Sequence, residues 1–206
     1  MTPRDYRKAL KAQWRRKCRD PRAFLLGDGL LVCRILRWWK LGPPFSYMID
    51  RTTYPESPPG PHWGHVGMLR WDPDSRRWVV IEALFSGGVV ERPLEVYGRP
   101  KTYRLGVYRH NSLSCRERQE VSDWAWRQIG ARYDRKKIAA IRALQLAGFS
   151  PDRVNNLDWA RRGRQFICSG LFVRAYRHIG RQITGTFASP RAVGEALKKH
   201  FHWNCQ

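Results

Sequence analysis

The chain has 206 residues, 42% of them hydrophobic, which suits one well-cored domain and excludes wholesale disorder. Its 39 Lys and Arg against 17 Asp and Glu give a formal net charge of +22, a field that draws any polyanion: nucleic acid, anionic lipid or bacterial wall polymer. Five cysteines without a C-x-x-C pair exclude a complete internal disulfide framework and give no zinc spacing.

Residues 1–22, with Arg15-Arg16-Lys17 at their centre, read as a basic N-terminal arm or helix stopped near Asp20-Pro21, and 23–206 as the folded domain. Elsewhere the positive charge is spread along the chain, as general loading of a surface with arginine would also produce. The apolar stretch from Ala23 to Trp39 is broken by Asp28, Arg34 and Arg37, so it has no signal-peptide core. No run approaches the roughly 20 apolar residues that span a bilayer. The expectation is a soluble protein, cytoplasmic or virion-associated.

Leu25 to Leu31 reads as a tight turn at Gly27-Asp28-Gly29 feeding a buried strand. The Pro-rich stretch 42–62, with Pro43-Pro44 and Pro58-Pro59, is a long loop of the kind that shapes sites. Gly64–Trp71 and Trp78–Phe85 alternate as strands about the Asp72-Pro73-Asp74-Ser75 turn. Val89–Leu94 and a segment around Tyr103–Val107 continue the run, antiparallel because the connections are short.

After His110 the period lengthens. Ser114-x-x-Glu117 is a capping box opening a helix with Val121, Trp124, Ala125 and Ile129 on one face, closed by Gly130. Ile138, Ile141 and Leu144 mark a second helix ended by Gly148. A polar, basic segment follows over 149–165. A third helix runs from about Cys168 to His178, with Leu171, Phe172, Ala175 and Ile179 inward and Gly180 as its stop. Ser189-Pro190 opens a last helix through about Lys199. The fold class is α+β, an antiparallel sheet with helices to one side.

Among the cysteines, Cys168 stands at the expected start of an amphipathic helix, where unpaired N–H groups and the positive end of the dipole favour thiolate. A buried, inert cysteine would look the same in sequence. His65 lies between Gly64 and Gly67 at the beginning of the first hairpin strand, where glycines leave room for close approach. A hairpin centred on the Asp72–Arg77 turn sets residue 67 opposite residue 82. Glu82 then shares a face with His65, diagonally across the pair. Glu82 also interrupts an apolar strand, and an ion pair with an arginine explains it equally well. His178, in a last helical turn, needs no function to explain it. No histidine cluster offers a metal spacing, so no cofactor is expected.

Phe166-x-Cys168-Ser169-Gly170-Leu171, Gly130-Ala131-Arg132-Tyr133, Gly27-Asp28 and His65-Val66-Gly67 together resemble the motifs of the NlpC-type cell-wall peptidases. The order, with the His strand before the Cys helix, resembles the circularly permuted branch of that papain-like family, which includes YiiX-like proteins and, more distantly, lecithin:retinol acyltransferase-like enzymes. The resemblance covers about residues 25–195 and implies a papain-like fold. It also implies Cys168 as nucleophile, His65 as base, Glu82 as the third polar residue, and Tyr133 with the Cys168 N–H on the oxyanion. The implied activity is cleavage of an amide bond in bacterial peptidoglycan, by a cell-wall peptidase with possible phage particle or tail partners. The 149–165 segment is longer than the family's and could gate the site or bind an anionic polymer. Hydrolysis or acyl transfer from a lipid ester, or a basic nucleic-acid-binding or structural protein with an inactive papain-like fold, are the other readings these residues allow.

Overall fold

The computed structural model describes residues 2–34, 63–99, 102–148, 164–184 and 189–203. The Pro-rich stretch 42–62, the Trp38-Trp39 pair, nearly all of the basic 149–165 segment and Cys205 lie outside the described residues. A first helix, α1 (Pro3–Arg19), precedes strands β1 (Gly29–Arg34), β2 (His65–Asp72), β3 (Arg77–Leu84) and β4 (Gly88–Pro93). A single 3-10 turn, Leu94–Tyr97, leads to β5 (Tyr103–Arg109). Helices α2 (Cys115–Trp126), α3 (Arg135–Leu146), α4 (Cys168–His178) and α5 (Pro190–Ala196) follow, and β6 (Lys198–Trp203) ends the described chain.

The six strands form one antiparallel sheet in the order β4-β3-β2-β1-β5-β6. The β2–β3 hairpin pairs Met68 with Ile81 and Trp71 with Trp78, so the next step along the ladder sets Gly67 beside Glu82, the register read from the turn. Alternation is strict. Val66, Met68, Ile81 and Ala83 pack with α2, α4 and α5, whereas Leu69, Trp78 and Val80 pack with Trp14, Cys18 and Phe24.

That second layer corrects the expectation of helices on one side only. Of the two readings of the N-terminal basic segment, helix or arm, it is the helix, stopped at Asp20 and docked on the sheet with Trp14 and Cys18 fully buried. Thr2 caps α1 and Pro3 starts it, as Pro suits a first helical position, while Arg16, Lys17 and Arg19 meet its negative end. The Trp14 indole donates to the Leu94 carbonyl at 3.3 Å, and the Trp78 indole to the Asp20 carbonyl at 2.8 Å. The last helix is also shorter than expected. It stops at Ala196, and 198–203 instead pairs with β5 as an edge strand.

Two turns fix the pieces that matter for the site. Gly27 takes φ +77°, open to glycine and strained for other residues. It lets fully buried Asp28 face Arg109 at 2.7 and 2.9 Å and accept from the Leu25 N–H at 3.0 Å. From the same turn, the Gly27 carbonyl accepts the Tyr176 hydroxyl of α4 at 2.9 Å. The Leu69 N–H of β2 donates to the Asp28 carbonyl at 2.8 Å. One buried corner thereby ties the strand carrying His65 to the helix carrying Cys168.

Candidate active site

Helix α4 begins at Cys168 with Ile167 as N-cap, and no side chain caps it. Its first N–H groups are consequently available to a sulfur. The backbone N–H groups of Val66 and Ser169 both bond the Cys168 thiolate. Downstream, Leu171, Phe172, Val173, Ala175 and Tyr176 are buried, and α4 packs against β2 and β3, so the sulfur is carried on a rigid element.

The structure joins Cys168, His65 and Glu82 in one chain of hydrogen bonds. The His65 Nε2 lies 2.5 Å from the Glu82 Oε2, and the imidazole also bonds the Cys168 thiol. With Nε2 taken by the carboxylate, Nδ1 is the nitrogen left for sulfur. Gly67 makes this diagonal approach possible. A Cβ there would stand 2.4 Å from the Val80 Cγ1 and 3.3 Å from the Glu82 Cβ.

Glu82 is fully buried and held from three directions. The Tyr97 hydroxyl donates to the same Oε2 at 2.5 Å. Arg92 pairs with Oε1 at 3.2 Å, as an ion pair rather than an aligned hydrogen bond, and its guanidinium lies 5.4 Å from the Tyr97 ring centre. Tyr97 and Arg92 carry no mark in the sequence. The 3-10 turn that aims Tyr97 inward follows Pro93 and is braced by Trp14 of α1, a contact between segments 80 residues apart.

The electrostatics follow from these contacts. Burial disfavours an ionised Glu82, but the His65 hydrogen bond and charge, the Tyr97 hydroxyl and Arg92 outweigh it and hold the carboxyl below its ordinary value. Burial also opposes a charged His65. The bonds to Cys168 and Glu82, with their negative charge, win and raise its pKa to about 10. For Cys168 burial alone would raise the thiol; His65 and the two backbone N–H groups bring it below its ordinary value instead. Both shifts favour thiolate beside imidazolium, and the two groups titrate as a coupled pair.

Tyr133 is half-buried in the core that includes Cys168, and its ring meets Phe85 edge-on at 5.6 Å. A parallel bridge pairs Tyr133 with Phe166, two residues before Cys168. Burial, then the negative charges at Cys168 and Asp134, push its hydroxyl pKa upward, so it stays a hydrogen-bond donor.

Three other cysteines are among the described residues. Cys18 is buried, and burial followed by Glu95 pushes its thiol far up. Cys115 is exposed at the first turn of α2, and Cys33 lies half-buried against the core. His110 and His178 are placed beside aromatic rings, Tyr176 and Trp124, away from the Cys168–His65 pair. Among the described residues, no group of three or more His, Cys, Asp or Glu is placed to hold a metal ion. No helix among them is long and apolar enough to cross a membrane.

No protein-family model matches the chain, and no curated protein matches it. Among solved structures, the crystal structure of the metalloprotein yiiX from Escherichia coli O157:H7 (DUF1105) is similar at a TM-score of 0.48 and 20% identity. That match covers 78% of this chain and 70% of the other.

Proposed function

We propose that the chain is a cysteine hydrolase of amide bonds with a papain-like, circularly permuted arrangement, acting on peptide or isopeptide bonds of bacterial peptidoglycan. The observation that carries the chemistry is the helix-borne Cys168 hydrogen-bonded to His65, itself bonded to buried Glu82. The wall substrate rests on the motif resemblance and on the +22 charge, which favours an anionic polymer.

In this mechanism the thiolate attacks the carbonyl carbon, forming a C–S bond while the carbonyl π pair moves onto oxygen. The Cys168 N–H and the Tyr133 hydroxyl bond that oxyanion. As the tetrahedral intermediate collapses, the C–N bond breaks and the His65 imidazolium gives its proton to the leaving amine. Neutral His65 then takes a proton from water, whose oxygen attacks the thioester. The second tetrahedral intermediate collapses as its C–S bond breaks and Cys168 departs as thiolate; the acid product leaves, and the proton held by the ring restores the ion pair. Glu82 keeps Nε2–H engaged and so fixes the tautomer and tilt of the ring.

The test is digestion of purified sacculi and of phospholipid vesicles, with products identified by mass spectrometry, for wild type, Cys168→Ala and His65→Ala. The expected result is release of new amine and carboxyl ends from muropeptides. Loss should be about 1000-fold or more in Cys168→Ala and about 100-fold or more in His65→Ala. Fatty-acid release with intact muropeptides would move the activity to lipid esters. Wild-type turnover equalled by Cys168→Ala would end the hydrolase reading.

A further inference from the structure

A cavity of about 400 Å³ opens on Tyr133 and on the segment that leads into α4. Its lining includes Tyr133 and Gln165, the first within electrostatic reach of Cys168 and the second three residues before it in the chain. Arg132, Arg135 and Lys136, all exposed cations, line it too, and among the described residues no acidic side chain does. Arg135 is held in place, its guanidinium 4.6 Å from the Phe85 ring centre and donating to the Phe85 carbonyl at 3.1 Å.

The walls are built rather than incidental. The Val89 N–H donates to the Ala131 carbonyl at 2.8 Å, and the Gly130 N–H to the Val89 carbonyl at 2.9 Å, lacing the β3–β4 turn to the segment after α2. Gly88, at φ +70°, allows that lacing, since a Cβ there would stand 2.2 Å from the Ala131 carbonyl oxygen. On the other side, the Phe166 N–H donates to the Arg132 carbonyl at 3.0 Å. The backbone bearing Arg132 is therefore hydrogen-bonded to the strand-like segment that delivers Cys168.

We propose that this cavity seats a carboxylate of the acyl substrate, an acidic peptide, with Arg132 and Lys136 as its chief anion contacts. The assignment rests on the hydrolase reading for what happens at the sulfur, but the anion preference stands on the cavity itself. A carboxylate placed there meets three cations, one of them held against Phe85, and charge-assisted hydrogen bonds from them. The overall charge of the protein would give no such local selectivity.

The experiment compares labelling of Cys168 by iodoacetate and by iodoacetamide, read by mass spectrometry, in wild type, Arg132→Gln/Lys136→Gln and a remote control, Arg15→Gln/Arg16→Gln on α1. The iodoacetate-to-iodoacetamide rate ratio should fall about fivefold or more in the cavity variant and hold in the control. An unchanged ratio in the cavity variant, or an equal fall in the control, overturns the proposal. A parallel measurement in Cys168→Ala follows polarisation of dansyl-Ala-Glu-amide against dansyl-Ala-Gln-amide. Preference for the Glu probe, lost in the cavity variant only, is expected; equal binding of the two probes overturns the cavity assignment. A Cys168 that labels with neither reagent sinks the hydrolase reading instead, and the peptide binding then decides the cavity alone.

Discussion

In the proposed mechanism Glu82 acts through His65, to which it is hydrogen-bonded, so its charge and its orientation can be separated by substitution. Glu82→Gln keeps a hydrogen-bond acceptor but removes the negative charge beside the ring. The His65 pKa then falls from about 10, the thiolate loses part of its cationic partner, and the Cys168 pKa climbs toward its ordinary value of 9.0. The expected measurement is a pH profile of iodoacetamide labelling whose midpoint lies below 9.0 in wild type and moves up in the variant. Hydrolysis should be bell-shaped in wild type, falling as pH passes about 10, because the leaving amine needs the imidazolium proton. Identical labelling profiles in the two proteins would contradict the assigned coupling. Tyr97→Phe removes the second donor on Oε2 and leaves a buried carboxylate short of a bond. A loss of about 1.5–3 kcal/mol in denaturant unfolding is expected, together with a shifted labelling midpoint that a purely structural role would not produce.

At the scale of elements, α1 is a brace for the site. Its Trp14 bonds the Leu94 carbonyl and covers Gly98, the two flanks of the turn that presents Tyr97 to Glu82. Trp14→Ala should cost about 3–5 kcal/mol, read by urea unfolding, and should raise the labelling midpoint of Cys168 in the protein that remains folded. An exposed nucleic-acid arm would show neither effect. The hairpin register was legible because a turn signal and period-2 alternation are local, and Gly67 facing Glu82 follows from counting. The capping box at Ser114 and Glu117 and the helix beginning at Cys168 were legible for the same reason. The docked face of α1 was not, since Trp14 and Cys18 sit among basic residues that suggest a solvated surface. Tyr97 and Arg92 lie within 15 residues of Glu82 but were hidden because a single tyrosine or arginine carries no pattern of its own, and the edge strand β6 because it pairs with β5, a distant segment that no local pattern encodes.

Across the whole molecule, +22 of formal charge acts at a range the site residues do not. Exposed charges separated by more than about 10 Å are largely screened at about 0.1 M salt, whereas the His65–Glu82 pair is too close and too buried to be. The two contributions should therefore separate with ionic strength. On an anionic wall polymer, kcat/KM should fall steeply between about 0.05 and 0.5 M salt as steering is lost, while kcat changes little. Labelling of Cys168 by neutral iodoacetamide, which gains nothing from the field, should stay flat over the same range. Parallel decline of labelling and kcat/KM would place the salt effect in the Cys168–His65 pair rather than in encounter. A flat kcat/KM would mean that the charge serves a different partner, and salt-dependent binding of DNA by the Cys168→Ala protein would then identify a polyanion site independent of the sulfur.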